Sequence, residues 1–196
     1  MTADPLVGVV LAAGSSRRLG TPKQLLPYRD GTLLGATLDV ARQCGFDQLI
    51  VTLGGAADAI RAEVDLTGTD VVVADAAATG CSTSLRAALG AVRSGAAGIV
   101  LLLGDQPGVQ PSAVQQLLSS SSSTAIAVGC YIDGVGHPFW LGRNVFDDVR
   151  ALHGDKGVWK LIESGRHPVV EVALSGTVPP DVDTWDDYQR LLAATS

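Results

Sequence analysis

The sequence predicts an α/β protein built on a mostly parallel sheet. Short β-branched or leucine-rich runs alternate with helical segments, and several runs are apolar throughout, as strands buried on both faces are. Glycine-rich turns end those runs. A chain of 196 residues, 46% hydrophobic, can bury one sizeable core. No repeat or long linker divides it, so one domain over residues 1–196 is expected.

Taken in order, Val7, Val9, Val10 and Leu11 form the first strand, and Ala12-Ala13-Gly14 turns after it. Thr32 caps a helix over 33–43, with Leu34, Leu38 and Ala41 on one face and Gly45 as its stop. A second strand, 48–53, ends at Gly54-Gly55, and a short helix over 56–64 follows. Residues 70–74 make a third strand, leading to a helix that starts near Cys81 and runs to Val92. Residues 98–103 are the most continuously apolar run, which suits the centre of a parallel sheet. A helix runs from Pro111 to about Leu118, and the serines at 119–123 read as a solvated loop. Residues 124–131 are a strand, 133–136 a turn and 137–140 a short extended segment. Helices over 144–152 and 158–164 flank Gly154-Asp155-Lys156-Gly157. A late strand over 169–172 is expected antiparallel at an edge, and a helix over 185–192 closes the chain.

The formal net charge is −6, which argues against a general nucleic-acid binder, whose affinity rests on a basic face. The opening MTADPL does not read as a signal peptide, and no run is long enough to span a bilayer. A cytoplasmic location without membrane contact is the expectation. Cys44, Cys81 and Cys130 are widely spaced, which suits a reducing compartment and offers no zinc framework.

The chemistry concentrates in the loop after the first strand. Ser15, Ser16, the amides around Gly14 and Gly20, and the cations Arg17, Arg18 and Lys23 form a cradle for a phosphate chain where open sheets place their ligands. The spacing is neither G-x-G-x-x-G nor a Walker P-loop. Asp105 is a carboxylate released directly after a buried strand, with the ligand type and location for Mg²⁺. A second carboxylate would hold such a metal in line with a transferred phosphoryl group, and Asp183 ahead of the last helix is the candidate. Gly80, Ser82 and Ser84 sit where a helix N-terminus can hold an anion or the edge of a base. Cys81 beside them reads as a small buried thiol rather than a nucleophile.

Leu11-Ala12-Ala13-Gly14, then Ser16, Arg18, Leu19, Gly20, Lys23 and Leu25-Leu26-Pro27, resemble the opening of the MobA-like NTP transferases, most nearly the molybdenum cofactor cytidylyltransferases. Gly104-Asp105-Gln106-Pro107 is similar to their DQP motif, Gly80 to Leu85 to their G-M-S-S-S-L, and Gly136-His137-Pro138 to their GHP. Gly154 to Gly157 resembles their GDxG, and Asp181 to Asp187 their DIDTPED ending, with Trp185 in place of proline. The resemblance implies a Rossmann-like, three-layer α/β/α nucleotidyltransferase fold with a late antiparallel edge element. It implies that Leu11, Ala12, Ala13, Gly14, Ser15, Ser16 and Gly20 wrap CTP, with Gly80, Ser82 and Ser84 also on the nucleotide. Arg18 and Lys23 would stabilise its phosphates, and Asp105 and Asp183 would bind Mg²⁺. It further implies that His137, Asp155 and Lys160 face a phosphorylated acceptor, molybdopterin, with transient contact to a molybdoenzyme or its chaperone. The LAAG form is associated with cytosine, where a guanylyl-transferring branch has LAGG. Trp159 stands where relatives commonly have arginine, which shifts the expected acceptor toward a less charged or more aromatic one.

The activity implied is transfer of CMP from CTP to the molybdopterin phosphate, releasing pyrophosphate. A family member with another acceptor, an oxidoreductase of the nicotine-blue type, and a non-catalytic nucleotide-binding protein remain as alternatives. The oxidoreductase would need a dinucleotide fingerprint that the first turn lacks. The non-catalytic protein would be expected to have lost a metal carboxylate, and both are present.

Overall fold

The computed structural model describes residues 4–74, 80–121, 124–154 and 157–194. Among these, a main sheet has seven strands in the order β5-β4-β1-β6-β8-β7-β9. The strands are β1 (Leu6–Ala12), β4 (Gln48–Leu53), β5 (Asp70–Val73), β6 (Gly98–Leu103), β7 (Ile126–Tyr131), β8 (Gly134–Gly142) and β9 (Val169–Ala173). A two-stranded hairpin, β2 (Pro27–Tyr28) and β3 (Gly31–Thr32), stands apart. The helices are α1 (Leu33–Gln43), α2 (Ala57–Glu63), α3 (Cys81–Ala91), α4 (Pro111–Ser121), α5 (Phe146–Arg150), α6 (Val158–Glu163) and α7 (Trp185–Ala193).

Alternation along the strands sorts the core into two layers. Val7, Val9 and Leu11 of β1 pack with Leu85 and Leu89 of α3, Phe146 of α5 and Leu161 of α6. Val10 and Ala12 face the opposite way, toward Leu34 and Leu38 of α1, Ile60 of α2 and Leu117 of α4. Helices therefore cover both faces of the sheet, giving a three-layer α/β/α protein. Each fully buried leucine or isoleucine in these layers contributes about 1.5–3 kcal/mol of burial. A third cluster seats Tyr188 and Leu191 of α7 against Leu19, Leu26 and Leu33, so the last helix clamps the loop after β1.

The all-apolar β6 takes the central place, parallel to β1 and flanked on its other side by antiparallel β8. Three details differ from the sequence expectations. The late strand does lie at an edge but pairs parallel to β7, and the reversed strand is β8, inserted between β6 and β7. Its nine residues include the His137-Pro138 segment expected to be short. The serines do not begin a loop after Leu118: α4 continues through Ser121, which is buried. The Ser119 and Ser121 hydroxyls donate to the carbonyls of Gln116 and Leu118, three residues back, at 2.8 and 3.3 Å. Residues 122–123 lie outside the described ones. No helix among the described residues is long and apolar enough to cross a membrane.

Candidate active site

A cleft of about 790 Å³ opens at the carboxyl end of β1, between the loop that follows it and the segment where β8 begins. Close backbone packing builds its floor. A Cβ on Gly54 would stand 2.5 Å from the Ala13 carbonyl oxygen, and one on Gly104 would stand 2.8 Å from the Ala12 Cβ. Glycine after β4 and after β6 therefore lets both turns close on the LAAG turn. The buried Gln24 amide fastens that turn from beneath, donating to the carbonyls of Ala12 at 2.6 Å and Gly14 at 3.1 Å.

Ser16 organises the rest of the loop. It holds a left-handed backbone at φ 50°, its carbonyl accepts from the amides of Leu19 and Gly20, and its hydroxyl accepts from the Lys23 amide at 2.9 Å. These bonds place Lys23 at the start of a 3-10 turn with its side chain directed across the cleft floor.

The Lys23 ammonium reaches two carboxylates. Its Nζ donates to Asp105 Oδ2 and, at 2.8 Å, to Asp183 Oδ1, from residues 82 and 160 positions away. Arg18 Nη2 donates to the other oxygen of Asp183 at 2.7 Å. Burial works against the Lys23 charge, but the Asp105 and Asp183 carboxylates outweigh it and hold its pKa above the ordinary value. The hydrogen bond from Lys23 is the main cause that lowers the Asp183 pKa. Asp181 adds a third carboxylate, its pKa raised by burial and then by the charges of Asp105 and Asp183. Gln106 ties the two segments, donating to the Pro179 carbonyl at 2.9 Å and to Asp181 Oδ1.

This donor set suits a hard divalent cation. Carboxylate oxygens from two elements already converge on one cationic point, which here is the ammonium of Lys23. Among the described residues no group of three or more His, Cys, Asp or Glu side chains could hold a metal unaided. A metal here would rest on two carboxylates, water and substrate phosphate, as Mg²⁺ prefers.

The opposite side of the cleft is made by α3, β8 and α6. Gly80, with φ 113°, Cys81 and Ser84 line it at the start of α3. Ser82 lies off the cleft wall, buried, with no hydrogen-bond partner for its hydroxyl among the described residues. His137 stacks on Phe139 with centroids 4.1 Å apart, and Trp159 meets Phe139 edge to face at 5.2 Å, so three rings line one stretch of wall. Burial pushes the His137 pKa down to about 3, which keeps the imidazole neutral. Lys160 does not line the cleft: its ammonium donates to the His153 carbonyl at 2.7 Å. Asp155, expected on the acceptor side, lies outside the described residues.

The structure thus brings Arg18, Lys23, Asp105 and Asp183 into one cluster at the edge of a cleft lined by Leu11, Ala12, Ala13, Gly14 and Ser15. Sequence reasoning had not singled out Gln24, Gln106, Asp181 or Phe139. Gln106 and Asp181 were visible inside their motifs, and Gln24 and Phe139 carried no signal of their own.

Residues 8–170 match the MobA-like NTP transferase domain. The chain belongs to that family. The crystal structure of Rv0371c from Mycobacterium tuberculosis is similar at 64% identity and TM-score 0.95, covering 98% of this chain and all of that one. A manganese complex of Rv0371c matches at 61% identity and TM-score 0.91 over 98% of this chain and 100% of that one. The nicotine blue oxidoreductase of Paenarthrobacter nicotinovorans is 31% identical over 95% of this chain and 96% of its own length. A nucleotidyl transferase from Methanothermobacter, 22% identical with TM-score 0.81 over 98% of both chains, shares the fold. As a MobA-like NTP transferase, this protein has a nucleoside triphosphate as its family's substrate class.

Proposed function

We propose that this MobA-like protein transfers CMP from Mg²⁺-bound CTP to the phosphate of molybdopterin and releases pyrophosphate. The observation that carries the reading is the meeting of Lys23 with Asp105 and Asp183 beside the LAAG turn. The turn's amides and the Ser15 hydroxyl grip the triphosphate, Ser16, off the cleft lining, fixes the loop through its bond from the Lys23 amide, and Arg18 and Lys23 stabilise charge on the phosphoryl oxygens. Asp105 and Asp183 would hold Mg²⁺, which when bound would supply neutralisation of the phosphate charge. The acceptor phosphate monoester is already anionic at neutral pH, so no general base is needed. Ala13 carries a methyl group on a turn packed against Gly54, which narrows the base pocket in favour of a pyrimidine.

A second reading keeps the transfer and changes the acceptor. It is favoured by the Trp159 ring, 37% exposed and backed by the buried Phe139, and by the engagement of Lys160 with His153, which offer a flat ring a stacking surface and a phosphate no cation among the described residues lining that side. The name of the nicotine blue oxidoreductase relative also lies outside cofactor maturation, although the first turn lacks a dinucleotide-binding spacing.

The deciding experiment incubates purified protein with CTP or GTP, Mg²⁺ and molybdopterin, and follows pyrophosphate and the cytidylylated product. Product with CTP, lost in Asp105→Asn and altered in acceptor KM by Trp159→Arg, supports the first reading. Absence of any pterin product, with CTP binding intact, transfers support to the second.

A further inference from the structure

The Lys23 ammonium occupies the point between Asp105 and Asp183 at which the proposed divalent cation would have to sit. The lysine and Asp105 side chains are each only 13% exposed, so water contributes little to screening the pair. The position is set by the chain: the Lys23 amide is pinned to Ser16 Oγ, and the lysine stem passes Gly14, where an added Cβ would lie 3.6 Å from Lys23 Cε. Arg18 already holds the second oxygen of Asp183.

Mg²⁺ binds its oxygens at about 2.0–2.1 Å, so an ion on these two carboxylates would come within roughly 3–4 Å of an ammonium bonded to the same oxygens. Three positive charges at that separation in a partly dewatered site repel one another, so the ammonium must leave as the metal enters. A departing ammonium needs another anion, because an unpaired charge in so buried a place is costly. The triphosphate lying along the loop is that anion.

We propose that Lys23 is a tethered counter-cation that blocks the metal carboxylates until a nucleoside triphosphate draws it away, so that divalent-metal uptake depends on nucleotide. The proposal rests on the reading of Asp105 and Asp183 as metal ligands. Its consequence is an order of events: metal arrives with the triphosphate, and loss of pyrophosphate lets Lys23 return to the carboxylates and weakens the metal's hold. Asp181 sharpens the effect, because its charge adds to those of Asp105 and Asp183, and without the ammonium the described ion pair left in the cluster is that of Arg18 with Asp183.

The test is Mn²⁺ binding without nucleotide, read from the electron paramagnetic resonance signal of free Mn²⁺, for the full-length protein and its Lys23→Met variant. Lys23→Met is expected to bind Mn²⁺ alone about tenfold or more tightly than the parent, within the usual span of coupling between sites. Equal affinities would overturn the proposal. The parent supplies a second measurement that needs no variant: saturating CTP should tighten its protein-bound Mn²⁺ by a similar factor, and an affinity indifferent to CTP would also overturn it. Asp105→Asn separates the two ideas. If it abolishes Mn²⁺ binding while Lys23→Met matches the parent, the metal site stands and the gate falls. If it leaves Mn²⁺ binding unchanged in the Lys23→Met background, the metal reading itself falls, and the gate with it.

Discussion

Gln106 donates its side-chain amide to the carbonyl of Pro179 at 2.9 Å, joining the turn after β6 to a segment 73 residues further along the chain. The same nitrogen reaches Asp181 Oδ1, and the side chain is buried. One residue therefore couples Asp105, its neighbour in sequence, to the stretch that carries Asp183. Gln106→Leu should lower stability by about 1–3 kcal/mol, because it leaves a carbonyl and a carboxylate oxygen without their donor. It should also weaken Mn²⁺ binding in the presence of CTP. Urea unfolding and a Mn²⁺ titration check both, and a variant indistinguishable from the parent in the two assays would remove Gln106 from this role.

Asp105→Asn should leave the fold intact, since the side chain sits at a turn and not in the apolar layers, while turnover falls by roughly a hundredfold or more. Asp183→Asn should act in the same direction, less strongly if Asp183 only orders a metal-bound water. Steady-state kinetics at saturating Mg²⁺ with circular dichroism of the same samples checks the pair. Undiminished turnover in Asp105→Asn would exclude the assignment.

Gly54→Ala should disturb nucleotide binding from outside the cluster of charges. Its Cβ would meet three backbone atoms of Ala13, the nearest at 2.5 Å, and backbone cannot swing aside as a flexible side chain can. The LAAG turn must shift, and the KM for nucleotide should rise by about tenfold, on the scale expected when a binding loop is misplaced by a fraction of an ångström or more. Gly31→Ala, where an added Cβ meets nothing within 4 Å, is the matched control. Calorimetric titration with CTP distinguishes the two, and equal affinities would show that the turn tolerates the methyl group.

His137 gives a pH prediction with a definite sign. Burial lowers its pKa from 6.5 to about 3, so between those values the unfolded chain binds a proton that the folded one refuses. Stability from this residue is complete above about pH 6.5 and falls with acidification, by at most about 1.4 kcal/mol per pH unit. His137→Gln should flatten that slope. Urea midpoints at pH 7.5 and pH 5 for both proteins provide the check, and parallel slopes would mean that the imidazole becomes protonated in place. Over the same range kcat/KM should carry no titration belonging to His137.

Much of the fold was legible because its parallel strands are unambiguous. Residues 48–53 and 98–103 are buried on both faces apart from a partly exposed Leu103, and Thr32 accepts from the Gly35 amide as the cap of α1. The departures arise where tertiary packing overrides local preference. Serines weaken a helix only modestly, and α4 keeps them by returning their hydroxyls to its own carbonyls and burying Ser121. Glycine and proline made β8 look short. Pairing on both sides sustains it, with a register shift after Val128 and the Tyr131 hydroxyl on the His137 carbonyl at 2.7 Å.

In the candidate site, each functional residue type could be picked out, but its partner could not. Nothing local to Lys23 indicates that its ammonium lies on carboxylates 82 and 160 residues away. The motif resemblance brought Asp105 and Asp183 to one place. Only coordinates reveal that the lysine stands between them, that Lys160 turns to its own backbone, and that Phe139 joins His137 and Trp159 into a wall.

The reversed direction of β8 has a bearing on inheritance. Phe139 lies opposite Leu101 and Gly142 opposite Gly98, so β8 begins at the end of the sheet where β6 finishes. The cleft lining is consequently encoded in two separate segments, one from the LAAG turn to Asp105, which includes the start of α3, and one from β8 through α6 that carries the rings. Replacement of the later segment can diversify what the rings receive while the earlier one passes on unchanged. A chimaera carrying residues 134–163 of another family member is the laboratory equivalent of that exchange.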